Sequence, residues 1–274
     1  MVLAPGSLIA ERFLIETVAG SGGMSTVYRA IDRESGLPVA LKLLHGVGSG
    51  YTVDRFEREA ELLVELHHPG IVAFVARGVA RDVTGNQPFL AMEWLDGEDL
   101  CQRLTRGLLS WPEALSVLRR VAAALEVAHR NHIIHRDIKP SNLFLRGGEI
   151  QGVTLLDFGI ARRTRLSHRM TGTGLMIGTP AYMAPEQARG ASDIGPGADV
   201  FSLGCVVFEC LTGQPPFMAE HLAAVLAKIL FEAPASVRAR HPEIPEALAD
   251  LVGRMLAKSP QSRPEDASAL LAEL

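Results

Sequence analysis

Apolar and polar residues alternate in short runs along the first third of the chain, up to about Leu95. Because successive side chains of a strand point to opposite faces of a sheet, this period of two predicts β-strands. Thr84, Gly85 and Asn86 are predicted as the turn before the last of these runs. The predicted strands comprise residues 13–18, 26–31, 37–44, 71–80 and 88–95.

Helical spacing of apolar residues replaces this alternation from Ser110 onwards, and Ser110 and Glu113 stand in the positions of a capping box. Among the strands, one helix is predicted over residues 54–66. The fold class predicted is therefore α+β, with a small β-rich part that holds one main helix and a larger, mostly helical part. In that larger part, helices are predicted from Ser110 and over residues 199–211, 219–231, 246–257 and 265–274.

The composition is that of a soluble globular protein, with 47% hydrophobic and 21% charged residues in 274. A net charge of −4 gives no indication of nucleic-acid binding, and no apolar run is long enough for a membrane span. The N-terminus lacks the pattern of a secretory signal. Cys101, Cys205 and Cys210 form no metal or disulfide pattern, so we expect three buried thiols in a reducing cytoplasm.

The candidate catalytic and metal-binding side chains are concentrated between His135 and Gly159. Asp137 and Lys139 are two residues apart in an extended segment, so their side chains are predicted on the same side. Two short strands, 143–146 and 153–156, are joined through Gly147 and Gly148 into a hairpin that returns Asp157 to the neighbourhood of Asn142. A carboxylate beside an amide oxygen suits Mg²⁺, a hard cation that also carries phosphates.

The order His135-Arg136-Asp137, Lys139, Asn142 and Asp157-Phe158-Gly159 resembles the catalytic and metal-binding loops of eukaryotic-type protein kinases. Residues 178–186, Gly-Thr-Pro-Ala-Tyr-Met-Ala-Pro-Glu, resemble the end of a kinase activation segment. Residues 22–24 and 185–190 are most like those of bacterial eukaryotic-like Ser/Thr kinases. The resemblance implies an ATP-dependent serine/threonine protein kinase, organised as a single domain over 1–274 with an N-lobe (1–92), a hinge (93–97) and a C-lobe (98–274).

A glycine-rich turn between the first two strands lets backbone N–H groups approach phosphate oxygens. Taken alone, it fits a flexible hairpin turn as well as a nucleotide site. Lys42 shares one face of an apolar strand with Ala40, and an unpaired charge there would be costly. Since Glu59 is the carboxylate that the predicted helix 54–66 turns inward, an ion pair between Lys42 and Glu59 is predicted.

The resemblance implies the role of each remaining site residue. Asp137 orients the substrate hydroxyl and accepts its proton, Lys139 neutralises the γ-phosphate, and Lys42 holds the α- and β-phosphates. Asn142 and Asp157 bind Mg²⁺, with Mn²⁺ as the alternative metal. The implied nucleotide-binding residues are Ala19, Gly20, Ser21, Gly22, Gly23, Met24, Ser25, Thr26 and Val27 of the glycine loop, with Ala40, Met92, Glu93, Leu95 and Phe144 around the adenine. Phe144 stands where such kinases more usually have leucine.

Two structural contacts are implied by the same resemblance. Asp199 anchors the backbone of the His135–Arg136 turn, and Arg263 forms a salt bridge with Glu186. Residues 160–183 carry four arginines in an irregular segment, which suits either a solvated loop or a site that holds phosphate. Because Arg136 lies beside Asp137, regulation by autophosphorylation at Thr171, Thr173 or both is expected, with protein serines and threonines as substrates. Dimerisation with a second copy is also compatible with the family.

Two other activities fit parts of the pattern. A pseudokinase would bind nucleotide without transferring phosphate, but every catalytic position is filled. A small-molecule kinase of related fold would lack the Ala-Pro-Glu segment.

The spacing of His129, His132 and His135 suggests a metal site, but no adjacent cysteine supports it, and His129 and His132 are better interpreted as helix-end residues.

Overall fold

The computed structural model describes residues 3–22, 25–45, 64, 66–82, 85–158, 180–239 and 241–274. Within these ranges, side chains are described for every residue except those from 81 to 86. These residues form two compact units. The first contains the described residues up to 68 and residues 72–95. The second contains residues 69–71, 96–158 and the described residues from 180 to the end.

The first unit is built on a six-stranded antiparallel sheet with the strand order β1-β2-β3-β4-β6-β5. Alternation along β3 and β4 sends every second side chain into the core, where Tyr28, Leu41 and Leu43 are almost completely buried. The strands are β1 (Leu8–Ile9), β2 (Phe13–Ser21), β3 (Ser25–Asp32), β4 (Pro38–Leu44), β5 (Phe74–Asp82) and β6 (Gly85–Glu93).

The five predicted strands are present with altered ends. Gly85 and Asn86, which were predicted in a turn, belong instead to β6 and pair with Asp82 and Arg81, whereas Thr84 lies outside the described residues. Ile71 lies outside β5 and forms a parallel bridge with Leu155 in the second unit. Strand β1 was not predicted. The predicted helix 54–66 lies outside the described residues except for Val64, which is helical, and Leu66, which is buried.

The second unit is mostly helical and holds a small antiparallel sheet of order β7-β8-β9. The predicted helices are present with altered ends: the helix predicted over 199–211 is longer, and those predicted over 219–231, 246–257 and 265–274 are shorter. The capping box at Ser110 and Glu113 is formed. The helices are α1 (Leu100–Leu104), α2 (Trp111–Arg130), α3 (Pro185–Ala188), α4 (Gly197–Thr212), α5 (Leu222–Phe231), α6 (Glu246–Met255) and α7 (Ala267–Ala272), and the strands are β7 (Gly97–Asp99), β8 (Leu143–Arg146) and β9 (Val153–Leu155).

Helix α4 occupies the core of this unit, as its apolar sequence predicts. It ends at Thr212, and the left-handed φ of 81° at the following Gly213 is a common conformation after the last turn of a helix. Cys205 and Cys210 on this helix are buried, whereas Cys101 is exposed, so the expectation of three buried thiols is wrong for Cys101. Cys101 lies in α1, a helix of five residues that buries only Leu100. None of the helices within the described parts of the chain is long and apolar enough to cross a membrane.

A buried ion pair joins the start of β2 to the end of β3. The carboxylate of Asp32 is fully buried and accepts two hydrogen bonds from Arg12, with Nε at 2.7 Å from Oδ1 and Nη2 at 2.9 Å from Oδ2. The hydroxyl of Ser35 and the backbone N–H of Glu34 complete its set of donors. The hydrogen bonds from Arg12 hold the pKa of Asp32 well below its usual range.

We expect Asp32→Asn to lower the free energy of unfolding by about 2–4 kcal/mol, because the substitution leaves the Arg12 guanidinium without its buried counter-charge. Since the folded-state pKa of Asp32 is depressed, its contribution is complete above the unfolded carboxyl pKa of about 4 and is lost as the pH falls below it. Urea unfolding between pH 3 and pH 7 measures both effects.

Glu34→Gln is the matched control, because Glu34 also pairs with Arg12 but its side chain is 68% exposed. That substitution should change the free energy of unfolding by less than about 1 kcal/mol. Equal losses for the two variants, or an unchanged pH dependence in Asp32→Asn, would contradict the assignment.

Candidate active site

One face of the first-unit sheet collects several predicted nucleotide-binding residues. Directly opposed residues of antiparallel strands share a face, and the register places Val27 opposite Lys42 and Ala40 opposite Met92. Ala40 and Lys42 are two residues apart and lie on the side of β4 opposite the core residues Val39, Leu41 and Leu43. The sheet therefore brings a cation and three apolar side chains to one surface.

The glycine-rich segment begins within a strand. Gly20 and Ser21 pair with Val27 and Thr26, a register shift lies between Val18 and Gly20, and Ala19 is exposed at that irregularity. The backbone N–H of Gly22 donates to the carbonyl of Ser25 at 2.9 Å. Gly23 and Met24 lie outside the described residues.

Thr26 is placed differently from its neighbour Val27. Its side chain is only 2% exposed, and its hydroxyl lies 2.8 Å from Nε2 of His45 and 3.3 Å from Oγ of Ser21. A nucleotide on the Val27 face would therefore meet the backbone of Thr26 rather than its hydroxyl.

Glu93, the first residue of the predicted hinge, is hydrogen-bonded to Ala73 within the first unit. The backbone N–H of Glu93 donates to the carbonyl of Ala73 at 2.9 Å, and the Glu93 carboxylate accepts the N–H of Ala73 at 2.8 Å. Met92 is buried, and Leu95 is half-buried. Edge strand β5 is thereby tied to the end of the segment predicted to face adenine.

In the second unit, the side chains of the predicted catalytic loop converge on Asp137. Nζ of Lys139 lies 2.9 Å from Oδ2 of Asp137, as expected for residues two apart in an extended segment. The amide nitrogen of Asn142 donates to the backbone carbonyl of Asp137 at 2.7 Å and to its Oδ2 at 3.2 Å. One carboxylate oxygen thus receives a cationic and a neutral donor.

Asn142 and the segment leading to Asp157, the two predicted metal ligands, are tied together by the backbone. Because the amide nitrogen of Asn142 is used by Asp137, the amide oxygen is the atom of this side chain that remains for a cation. The backbone N–H of Leu156 donates to the Asn142 carbonyl at 2.8 Å, which ties the residue before Asp157 to Asn142. Asp157 has a left-handed φ of 43°, a conformation that is rare for residues other than glycine and often found at functional sites.

His135 joins the two loops. Its Nε2 donates to the Leu156 carbonyl at 2.7 Å, its Nδ1 accepts the N–H of Asp137, and its ring packs on Phe158 with centroids 4.7 Å apart.

Phe144, a predicted adenine contact, lies on β8 opposite Thr154 and is half-buried.

Asp199 is the buried anchor of the predicted catalytic loop. Its Oδ2 accepts the backbone N–H of His135 and its Oδ1 that of Arg136, both at 2.8 Å. Arg136 has a φ of 66°, so the anchored turn contains a non-glycine residue in the left-handed region. The resemblance implied this contact, and the structure contains it.

Arg263 and Glu186 are also in contact. The Arg263 side chain is fully buried, and its two terminal nitrogens donate to the two Glu186 oxygens at 2.8 and 2.9 Å. Carbonyls of Ala257, Lys258 and Gly197 accept its further N–H groups, which satisfies the buried guanidinium. Glu59, Gly159, Thr171 and Thr173 lie outside the described residues, so the predicted Lys42–Glu59 pair and the two phosphorylation sites stay predictions.

A model of the family described as "Protein kinase domain" matches residues 13–273. The chain belongs to this family. The serine/threonine-protein kinase PknB of Mycobacterium tuberculosis is 38% identical over 274 residues, a match that covers 98% of this chain and 43% of PknB. The chain thus spans less than half the length of the PknB relatives that it matches.

Solved structures of kinases have the same fold. The PknI kinase domain of M. tuberculosis gives a TM-score of 0.77 at 27% identity, covering 99% of this chain and 98% of that chain. Rad53 residues 1–466 in complex with AMP-PNP give a TM-score of 0.77 at 28% identity, covering 95% of this chain and 64% of that chain. The expected α+β kinase fold, with a β-rich unit and a mostly helical unit, is confirmed.

Sequence reasoning missed the part that His129 plays in this kinase domain. His129 is buried, its Nε2 lies 3.0 Å from Oδ2 of Asp199, and its Nδ1 accepts the backbone N–H of Ala267 at 3.2 Å. It therefore joins helices α2, α4 and α7 at the catalytic-loop anchor. Gln187 was also missed, and its amide nitrogen donates to the Arg136 carbonyl at 3.1 Å. The partners are at least 50 residues apart in sequence, so no local pattern marks either contact.

We expect Asp199→Asn to lower the free energy of unfolding by about 2–4 kcal/mol, because an amide nitrogen would face at least one of the N–H groups that the carboxylate now accepts. Urea unfolding followed by circular dichroism measures the loss. Asp266→Asn is the control, since Asp266 caps helix α7 through the N–H of Ala269 and asparagine caps a helix about equally well. A loss in Asp199→Asn no larger than in the control would show that the three donors do not depend on a charged acceptor.

Proposed function

We propose that this chain is a serine/threonine protein kinase domain that transfers the γ-phosphoryl group of ATP to hydroxyl groups of protein serines and threonines. The observation that carries the proposal is the cluster in which Lys139 and Asn142 both donate to the Asp137 carboxylate. The names of the relatives support the same reaction. Lys139 two residues after Asp137, with Thr179 before Pro180, favours serine and threonine over tyrosine.

ATP is the proposed nucleotide. The Rad53 neighbour was solved with AMP-PNP, an ATP analogue. In the first unit, the apolar face of Val27, Ala40 and Met92 suits the adenine ring, and Lys42 on that face suits the α- and β-phosphates. Phe144, which the resemblance places beside adenine, stays a predicted adenine contact.

Mg²⁺ is the proposed metal, held by the amide oxygen of Asn142 and the carboxylate of Asp157, which are hard oxygen ligands. When bound, such an ion neutralises negative charge on the β- and γ-phosphates. Mn²⁺ would be accepted by the same oxygen donors.

The roles of the chain's own residues follow from the charge changes in phosphoryl transfer. The transition state is loose, so positioning and charge neutralisation supply most of the catalysis. Asp137 orients the substrate hydroxyl and takes its proton late in the reaction. Lys139 is held beside Asp137 and neutralises the transferred phosphoryl group. The hydrogen bonds that the backbone N–H groups of His135 and Arg136 donate to Asp199 keep the loop in the conformation that presents both side chains.

The wider organisation is part of the same proposal. Residues 1–274 form one kinase domain, with an N-lobe over 1–92, a hinge over 93–97 and a C-lobe over 98–274. The domain works in the cytoplasm, or on the cytoplasmic side of a membrane if it belongs to a longer membrane protein, and acts on protein substrates that include a second copy of itself.

We expect Asp137→Asn to lower the rate of peptide phosphorylation by roughly 100- to 10,000-fold, the usual contribution of a positioned base. The measurement is phosphate transfer from Mg-ATP to Ser- and Thr-containing peptides, with aminoglycosides as small-molecule acceptors in parallel. Asp250→Asn changes an exposed carboxylate of α6 and is the matched control.

Transfer to peptides by the parent and the control, with loss in Asp137→Asn and after addition of EDTA, supports the proposal. Equal activity of Asp137→Asn and the parent would remove Asp137 from the mechanism. Nucleotide binding without transfer to any acceptor would favour a pseudokinase, and transfer to aminoglycosides alone would favour a small-molecule kinase.

We also expect the active chain to carry phosphate on Thr171, Thr173 or both after incubation with Mg-ATP, because Arg136 beside Asp137 offers a cation to a phosphorylated activation segment. Mass spectrometry of the parent and of Asp137→Asn identifies the sites, and a Thr171→Ala/Thr173→Ala double variant should have lower activity. Active enzyme without phosphate at either threonine would contradict autophosphorylation as the switch.

A further inference from the structure

Arg136, the residue before Asp137, has a backbone conformation that needs support from its surroundings. Its φ of 66° lies in the left-handed region, which is costly for residues other than glycine and persists only where the neighbouring peptide groups are held in place. On the N-terminal side, Oδ1 of Asp199 accepts the Arg136 N–H at 2.8 Å. The peptide group on the other side, which joins Arg136 to Asp137, is held by different residues.

That second peptide group is hydrogen-bonded through both of its polar atoms. The Arg136 carbonyl accepts an N–H of the Gln187 side chain at 3.1 Å, and the Asp137 N–H donates to Nδ1 of His135 at 3.2 Å. His135 belongs to the same loop, whereas Gln187 is 51 residues from Arg136 in sequence. Gln187 therefore relates the orientation of this peptide group to a distant part of the second unit.

The orientation of the Gln187 amide is itself determined by its partners. Gln187 is only 8% exposed, so its polar atoms depend on hydrogen bonds within the protein. Its Oε1 accepts the backbone N–H of Ala184 at 3.0 Å, which leaves the amide nitrogen to donate to the Arg136 carbonyl. With the amide turned the other way, oxygen would face a carbonyl and nitrogen would face an N–H. This position therefore uses one donor and one acceptor of a single side chain.

The segment that carries Gln187 is anchored on the core of the second unit. Helix α3 directly follows residues 180–184, which belong to the end of the predicted activation segment. The Glu186 carboxylate is paired with a buried guanidinium, and the Tyr182 carbonyl accepts the Ser202 hydroxyl of helix α4 at 2.7 Å. The position of this anchored segment is passed to the predicted catalytic loop through the Gln187 amide.

We propose that Gln187 is a positioning residue for phosphoryl transfer, which holds the peptide group before Asp137 and thereby couples the end of the activation segment to the direction of the Asp137 carboxylate. The effect on catalysis rests on the proposed kinase function. A carboxylate acts on a substrate hydroxyl only within hydrogen-bond reach, and a misplacement of about 1 Å can lower a rate about 100-fold. Rotation of the preceding peptide group would produce such a misplacement.

Two variants remove the donor in different ways. Gln187→Glu keeps the size of the side chain and the oxygen that accepts the Ala184 N–H, but it sets a carboxylate oxygen against the Arg136 carbonyl. Gln187→Met removes both hydrogen bonds without adding a charge, so it covers the case in which the buried carboxylate prevents folding. Gln261→Glu is the matched control, since Gln261 is exposed and a carboxylate can still accept the Ser259 hydroxyl.

Backbone hydrogen exchange, followed by NMR, tests the positioning without any phosphoryl transfer. We expect the Asp137 N–H to exchange roughly two- to tenfold faster in both Gln187 variants than in the parent, which is the usual effect of losing one hydrogen bond. The N–H groups of His135 and Arg136 should keep their exchange rates, because both donate to Asp199. Gln261→Glu should match the parent at all three N–H groups.

Steady-state kinetics with Mg-ATP and a peptide then test the catalytic consequence. We expect kcat to fall about 10- to 100-fold in both Gln187 variants while the KM for ATP changes little, because the lost interaction positions a group for the transition state rather than for nucleotide binding. Gln261→Glu should match the parent in both constants.

Unchanged exchange at the Asp137 N–H, or an equal increase at all three N–H groups, would overturn the proposal, since the latter indicates a general loss of stability. An unchanged kcat in both Gln187 variants of an active parent would also overturn it. If the parent transfers no phosphate, the proposed kinase function fails, and the exchange rates still decide whether Gln187 holds the peptide group before Asp137.

Discussion

A buried carboxylate on helix α4 fixes the conformation of the loop that carries the candidate catalytic residues. Asp199 has no exposed surface, and an ionised group in such a position is stable only when its oxygens are fully hydrogen-bonded. Two of the donors are consecutive backbone N–H groups, of His135 and Arg136, and both cannot point at one carboxylate unless the chain turns sharply. The left-handed conformation of Arg136 supplies that turn, and its cost is offset by the satisfied carboxylate.

The consequences of this anchor extend along the whole stretch from His135 to Phe158. With its backbone held by Asp199, the His135 ring is directed to the Leu156 carbonyl and packs on Phe158. Asn142 is bonded on one side to Asp137 and on the other to the N–H of Leu156. Asp137 and Asn142 are therefore parts of one hydrogen-bonded network within the second unit, and this network reaches Leu156, the residue before Asp157.

Most of the fold could be predicted from the sequence because periodicity is a local signal. The strands that line the predicted nucleotide-binding face, the helix that starts at Ser110 and the buried helix α4 were all predicted, and their ends differ by a few residues. Strands β1 and β7, of two and three residues, are too short to show a period. The positions of Asp137, Lys139 and Asn142 were predictable because their contacts are local. His129 was interpreted as a helix-end residue, since its partner Asp199 is 70 residues away and only the packed helices bring the two together.

Two aspartates that are fully buried, Asp32 and Asp199, illustrate different uses of the same side chain. Asp32 is paired with a guanidinium, an interaction that joins two strand ends and tolerates some change in angle because much of it is charge attraction. Asp199 accepts hydrogen bonds from two backbone N–H groups and from Nε2 of His129. Because Nδ1 of His129 accepts the N–H of Ala267, the ring proton lies on Nε2. These donors are fixed in direction by the backbone and by helix packing. A carboxylate held in this way specifies the orientation of a loop more closely than an ion pair with a flexible side chain would, which suits the segment that must position Asp137.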